Sequence, residues 1–220
     1  MEELLLKNKK NFWLAGCLLV AFVIWTALVK IVDVQAIGPE GSMVGFAALN
    51  GFFHNLTGVH MSVYDLTDLL SVLPLGIIGI FGLLGLIQWI KRKRLLKIDY
   101  SILVLGGFYI VVLAIFVFFE KFVINYRPIL IEGVLEASYP SSTTMLVMCV
   151  MPTAMLQCRD RIAGKPVRLA VNFLMAAFTA FMVIGRLISG VHWLTDIIGG
   201  AILSAGLVML YAAFVRLEKK

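Results

Sequence analysis

Apolar runs of membrane-crossing length, separated by short basic linkers, constrain this 220-residue chain more than any other feature. A helix needs roughly 20 mostly apolar residues to cross the hydrocarbon layer of a bilayer. Six windows offer or approach that length, at about 12–32, 70–90, 101–119, 142–157, 168–185 and 194–215. Hydrophobic side chains fill 61% of positions and mean hydropathy is +0.97, values outside the range of a soluble domain. In lipid the backbone must satisfy its own hydrogen bonds, so the windows read as helices. The expected fold is an all-α integral membrane protein, a six-transmembrane helix bundle forming one domain over residues 1–220. Lys7, Lys9 and Lys10 precede the first window as they would a signal peptide. Its apolar run is too long for one and no small-residue cleavage site follows cleanly, so it reads as an uncleaved span.

Orientation follows from the basic residues. Fifteen of the 19 Lys and Arg fall before the first window, between the second and third, between the fourth and fifth, or after the sixth. That face should be cytoplasmic, with both termini inside. The net charge of +6 is then a topology signal and not a nucleic-acid footprint. The other four are Lys30, Lys121, Arg127 and Arg186. Cations placed against the topological bias need a reason. Cys17, Cys149 and Cys158 form no disulfide framework or metal-ligand spacing.

The only long connection, about 33–69, lies on the outer side. Met43, Phe46, Leu49, Phe52 and Phe53 recur in it at mixed helical spacing, with Ser42 placed to cap them. This predicts an outer-face interfacial helix, acting as a lip for lipid or as a plain cover. Gly76, Gly79, Gly82 and Gly85 predict a small-residue ridge for close helix packing, and Gly200 with Ser204 predicts another.

Three outer-side fragments carry the chemistry: Lys121 to Pro128, Tyr139 to Thr143, and Arg186 to Asp196. His192 and Asp196, four residues apart, share one helix face. A carboxylate there can take the proton side of the imidazole, fix its tautomer and leave the other nitrogen nucleophilic. Arg127 and Arg186 present planar forks suited to phosphate oxygens. Ser141 and Ser142 open an apolar helix whose unpaired N–H groups form an anion site.

These fragments resemble the three signature motifs of the type 2 phosphatidic acid phosphatase family. Its members are six-span lipid phosphatases, with relatives among undecaprenyl-diphosphate phosphatases and vanadium haloperoxidases. The first motif is Lys, six residues, Arg-Pro; the second Pro-Ser-Gly-His; the third Ser-Arg, five residues, His, three residues, Asp. Arg186, His192 and Asp196 match the third at full spacing. The resemblance implies that His192 attacks phosphorus to form a phosphohistidine, supported by Asp196. Arg127, Arg186, Lys121, Ser141 and Ser142 would hold the phosphoryl oxygens. It implies no cofactor and no metal, and a lipid phosphate substrate met at the outer face of a plasma membrane, read as bacterial from the compact six-span form. Membrane lipids are the other expected partners, nucleic acid is not expected, and oligomeric state is left open.

The departures choose among substrates. Lys121 stands five residues, not six, before Arg127, and Gly185 replaces the motif's Ser. Thr143 occupies the position of the second-motif His, which the family uses to protonate the leaving group. General acid catalysis is worth about 10²–10⁴-fold. A phosphate leaving group, with a pKa near ~6, departs without much help. The expectation is therefore a lipid diphosphate, undecaprenyl diphosphate or a similar polyprenyl diphosphate, unless His54 or His60 supplies the acid. Phosphatidate or phosphatidylglycerol phosphate hydrolysis, phosphoryl transfer, and non-catalytic lipid-phosphate binding remain as alternatives.

Overall fold

The computed structural model describes residues 2–217, with side chains from residue 8. The Lys7 side chain, Lys219 and Lys220 lie outside the described residues. Eight α-helices follow one another: α1 (Glu2–Ile31), α2 (Ala47–Thr57), α3 (Met61–Leu70), α4 (Val72–Arg92), α5 (Tyr100–Lys121), α6 (Ser142–Arg161), α7 (Lys165–Ile188) and α8 (Leu194–Val215). No named strand occurs among the described residues, only isolated bridges.

Among the described residues, five segments are long and apolar enough to cross a membrane: Asn8–Ile31, Met61–Arg92, Tyr100–Lys121, Lys165–Ile188 and Leu194–Val215. The fourth of the six expected windows is not among them. The helix there, α6, is 20 residues long but carries Thr143, Thr144, Thr153 and Gln157, all buried. It packs against α4, α5, α7 and α8 and so faces protein. Its polar groups are met inside the bundle, as they must be away from water. Thr153 donates to the Cys149 carbonyl at 2.7 Å, and the Gln157 amide donates to the Ser101 carbonyl at 2.9 Å. The second span also starts earlier than read. Ser71 keeps a helical conformation, so α3 and α4 run on with little interruption.

Antiparallel neighbours divide the loops between two ends. At the basic end Arg161 lies 3.9 Å from Asp99, and the Phe12 and Phe214 rings meet edge to face at 5.4 Å. At the other end the Trp25 indole donates to the Thr195 carbonyl at 3.1 Å, and the Thr26 and Tyr139 hydroxyls are 2.7 Å apart. All three motif fragments gather there. Between the ends, Phe22, Leu105, Phe108, Met145, Leu203 and Tyr211 pack into one apolar cluster. Lipid tails are as apolar as these side chains, so close packing and hydrogen bonds hold such a bundle more than burial does.

Two local expectations are corrected. Ser42 does not cap a helix; it ends a 3-10 turn at Pro39–Gly41, and α2 begins after Phe46, which takes a left-handed conformation. The glycine ridge is open: nothing lies within 4 Å of a Cβ placed on Gly76, Gly79 or Gly82. Only Gly85 is crowded, against Ile102 at 3.1 Å, so these glycines do not bring two helices together in this bundle.

Helix α2 is held on the start of α8 by one buried amide. Asn50 donates to the Gly45 carbonyl at 2.8 Å and to the Thr195 hydroxyl at 2.9 Å, and accepts the Thr195 N–H at 3.2 Å. Asn50→Ala would strand these partners in a dry site, where an unmet polar group costs about 1–3 kcal/mol. Thermal or denaturant unfolding in detergent should show a loss of that size.

Candidate active site

Three connections build the site. Between α5 and α6 the chain makes a short hairpin, with bridges pairing Tyr126 with Ala137 and Ile131 with Val134. The hairpin sets Asn125 and Arg127 on one arm opposite Glu136 and Ser138 on the other. The second connection is the Ser141 turn. Ser141 is buried, caps α6 by accepting the Thr144 N–H at 3.5 Å, and donates its own N–H to the Asp196 carbonyl at 3.1 Å. The third is the turn from α7 into α8. Gly190 has φ +70°, and a Cβ there would lie 2.1 Å from the Gly58 carbonyl oxygen. Only glycine allows that close passage, which sets the His192 loop under the α2–α3 link.

Asp196 is the third residue of α8 and fully buried. It accepts the Trp193 N–H at 2.9 Å and the Asn125 amide at 3.3 Å. The N-terminal end of a helix favours negative charge. The expected direct pairing with His192 is corrected. Nδ1 stands 3.9 Å from the carboxylate, and the Ser138 hydroxyl sits between them, 3.0 Å from Nδ1 and 2.5 Å from Asp196 Oδ2. A carboxylate only accepts, so Ser138 donates to Asp196 and accepts from Nδ1–H. That leaves Nε2 unprotonated, its lone pair accepting from an Arg127 N–H at 3.5 Å.

His192 is 4% exposed. Burial lowers its pKa to about 4, Arg127 and Arg186 push the same way, and Asp196 opposes them. The ring is thus neutral at physiological pH.

The two arginines are brought together as expected. Arg127 Nε lies 2.9 Å from Glu136 Oε2, an ion contact without hydrogen-bond alignment, and its guanidinium stands 5.9 Å from the Tyr64 ring centre. Arg186 lies 4.7 Å from the same ring and is 2% exposed. It donates to Thr143 Oγ1 at 2.7 Å, Asp68 Oδ1 at 3.2 Å and Thr67 Oγ1 at 3.3 Å. The Nε–H of each arginine is buried with no aligned acceptor among the described residues. Gly185 also finds its reason here, since a Cβ would lie 2.7 Å from Thr67 Cγ2. Thr67 fills the space a motif serine would need and supplies a hydroxyl to Arg186 itself.

Other expected residues fall less close. Lys121 ends α5 exposed, with no ion pair or hydrogen bond from its side chain among the described residues. Ser142 lines a narrow cleft between α5 and the Ser138–Ser142 turn, together with His192, Phe116, Phe119 and Glu120. The cleft holds about 10 Å³, room for one water. His54 is half-buried with its ring 5.5 Å from that of Trp193, and burial lowers its pKa. His60 is exposed and hydrogen-bonds the Thr57 carbonyl. Neither histidine touches His192. Sequence reasoning missed Ser138, Asn125, Tyr64, Thr67 and Asp68; Asn125, inside the Lys121 to Pro128 fragment, and Ser138, two residues before Pro140, carried a positional hint.

The sign of the His192 shift fixes a pH dependence. An unfolded histidine titrates near ~6.5. The folded ring holds its proton less tightly, so stability from neutral His192 is complete above that value and declines as pH falls towards about 4. Histidine-selective ¹⁵N spectra should show one ring neutral and protonated at Nδ1 from pH 8 down to 5.5. A hydrogen bond to a charged group is worth about 1.5–3 kcal/mol. Ser138→Ala should therefore lower turnover roughly tenfold to a hundredfold and mix the two tautomers in the same spectra.

A family model described as the PAP2 superfamily matches residues 107–220. No curated protein matches the chain. Among solved structures, the chain is similar to one titled the first transmembrane PAP2 type phosphatidylglycerolphosphate phosphatase from Bacillus subtilis. The TM-score is 0.61 at 18% identity, over 93% of this chain and 96% of the other. The chain belongs to the PAP2 superfamily, and all three motif fragments lie inside the matched region.

Proposed function

We propose that this protein hydrolyses a lipid phosphate at the outer face of a plasma membrane through a phosphohistidine. The observation that carries the reading is the single unprotonated ring nitrogen of His192. Its Nδ1–H is committed to Ser138 and Asp196, while Nε2 faces Arg127. In the first step Nε2 bonds to phosphorus and the bond to the leaving oxygen breaks. The imidazolium formed is stabilised through Ser138 by the Asp196 carboxylate. Water then attacks phosphorus, the P–N bond breaks and phosphate leaves. The Nε–H of Arg186, without a hydrogen-bond partner among the described residues, suits a phosphoryl oxygen. The reading uses no metal.

In this reading α6 crosses the bilayer as a sixth, protein-surrounded span. The basic end is cytoplasmic with both termini, and α2 covers the outer end. Exposed Phe52 and Leu56 on α2 suit the interface with lipid.

A lipid diphosphate is the favoured substrate, undecaprenyl diphosphate or a similar polyprenyl diphosphate. The Thr143 hydroxyl, where the family places its acid, is tied to Arg186 and is no proton donor at neutral pH. A phosphomonoester such as phosphatidylglycerol phosphate or phosphatidate is the second reading. It is favoured by Glu120, a carboxyl lining the same cleft as His192 and Ser142. Phosphate release from the purified protein separates the two. The diphosphate should be hydrolysed faster by a factor within the ~10²–10⁴ usual for one acid. Rapid phosphatidate hydrolysis that Glu120→Gln abolishes would establish the second reading instead. Transfer to an acceptor without phosphate release, or binding without turnover, would overturn both.

His192→Ala should abolish phosphate release, and Asp196→Asn should reduce it strongly with the fold intact. Arg127→Lys and Arg186→Lys should each be poorly tolerated, since a point charge cannot replace a fork. Lys121→Ala should do least harm among the cations, as its exposed side chain suggests. Thr143→His should speed monophosphate hydrolysis more than diphosphate hydrolysis.

A further inference from the structure

A second, open cavity lies at the opposite end of the bundle, between α1, α6, α7 and α8. Its volume is about 560 Å³, within the usual range for a small-molecule pocket. Eighteen residues of α7 separate Arg168, on its wall, from Arg186 in the candidate active site. That is about 27 Å at the helical rise, so the two sites are distinct.

Three arginines line it, Arg159, Arg168 and Arg216, and no carboxylate does among the described residues. Arg168 is partly engaged, donating to the Arg159 and Ile162 carbonyls that end α6, at 3.4 and 3.5 Å. Two amides join them. Asn11 Nδ2, a donor, and Asn172 Oδ1, an acceptor, are both buried without a partner among the described residues. Buried polar atoms are rarely left so. The remaining walls are apolar, including Met155 and Val208, and adjoin the helix surface that faces lipid.

A topological excess of basic residues accounts for cations near this end. It does not account for a cavity between helices or for unmet amides inside it. Arginine forks and an amide donor suit a phosphate anion, an unmet amide oxygen suits a hydroxyl, and apolar walls suit an acyl chain. The geometry points to a binding site for an anionic glycerophospholipid with a hydroxylated headgroup, taken from the leaflet at the basic end. The same phosphate chemistry would admit a free phosphate ester, and the test distinguishes the two.

Native mass spectrometry of the full chain, released from detergent with added dioleoylphosphatidylglycerol or dioleoylphosphatidylcholine, reads occupancy directly and needs no turnover. The wild type should retain one phosphatidylglycerol with at least tenfold preference over phosphatidylcholine. The R159Q/R216Q double variant should lose that preference at least tenfold, with an unchanged melting temperature as the check on folding. Asn11→Leu, which keeps every charge, should weaken retention several-fold. Should the double variant fail to fold, Asn11→Leu alone decides. Equal retention of the two lipids, or undiminished retention by the double variant, would overturn the proposal. Displacement by millimolar glycerol 3-phosphate without any lipid preference would make a free phosphate the ligand and overturn the lipid assignment.

Discussion

Asp196 is a charge in a place that gives it no water, and the arrangement of the site follows from satisfying it. A buried carboxylate is tolerated only when its oxygens are hydrogen-bonded. Here the donors come from two connections: Trp193 at the start of α8, and Asn125 and Ser138 on the two arms of the α5–α6 hairpin. The Asp196 backbone carbonyl meanwhile accepts the Ser141 N–H. One residue thus fixes the hairpin, the α6 cap and the α8 start relative to each other. His192, four residues earlier, inherits its tautomer from the same set of bonds.

Placing two arginines beside a neutral imidazole has a second consequence. Their positive charge disfavours protonation of His192 and attracts an anion. Tyr64 lies against both guanidiniums, and Asp68 and Glu136 contact one each. These contacts hold the forks in a largely apolar bundle while leaving the Nε–H of Arg186 without a hydrogen-bond partner among the described residues. A phosphoryl group would complete what the protein leaves open.

Much of this was legible in the sequence, for identifiable reasons. Arg127, Arg186, His192 and Asp196 stood out because charged or titratable residues on the non-basic side of a membrane chain are rare. The first, third, fifth and sixth windows mapped onto long helices because lipid-facing helices are apolar on all sides. Helix α6 read as a weak window because it faces protein, where Thr and Gln are met by neighbours. Ser138, Thr67 and Asn125 gave little signal because a small polar residue gains meaning only from what the fold places opposite it. The glycine spacing in α4 misled, since a repeat of small residues says nothing about whether a partner helix arrives. Gly185 looked like a lost hydroxyl until Thr67 was seen to occupy its space.

The central claim is that His192 itself bonds to phosphorus. Rapid acid-free quenching of the protein with a ³²P-labelled lipid diphosphate, followed by peptide mapping, tests it most directly. The account predicts a phosphoenzyme that survives base, is lost in acid and maps to His192, forming faster than phosphate is released. Steady turnover with no labelled protein at any time, or label on a serine or carboxylate, would contradict it.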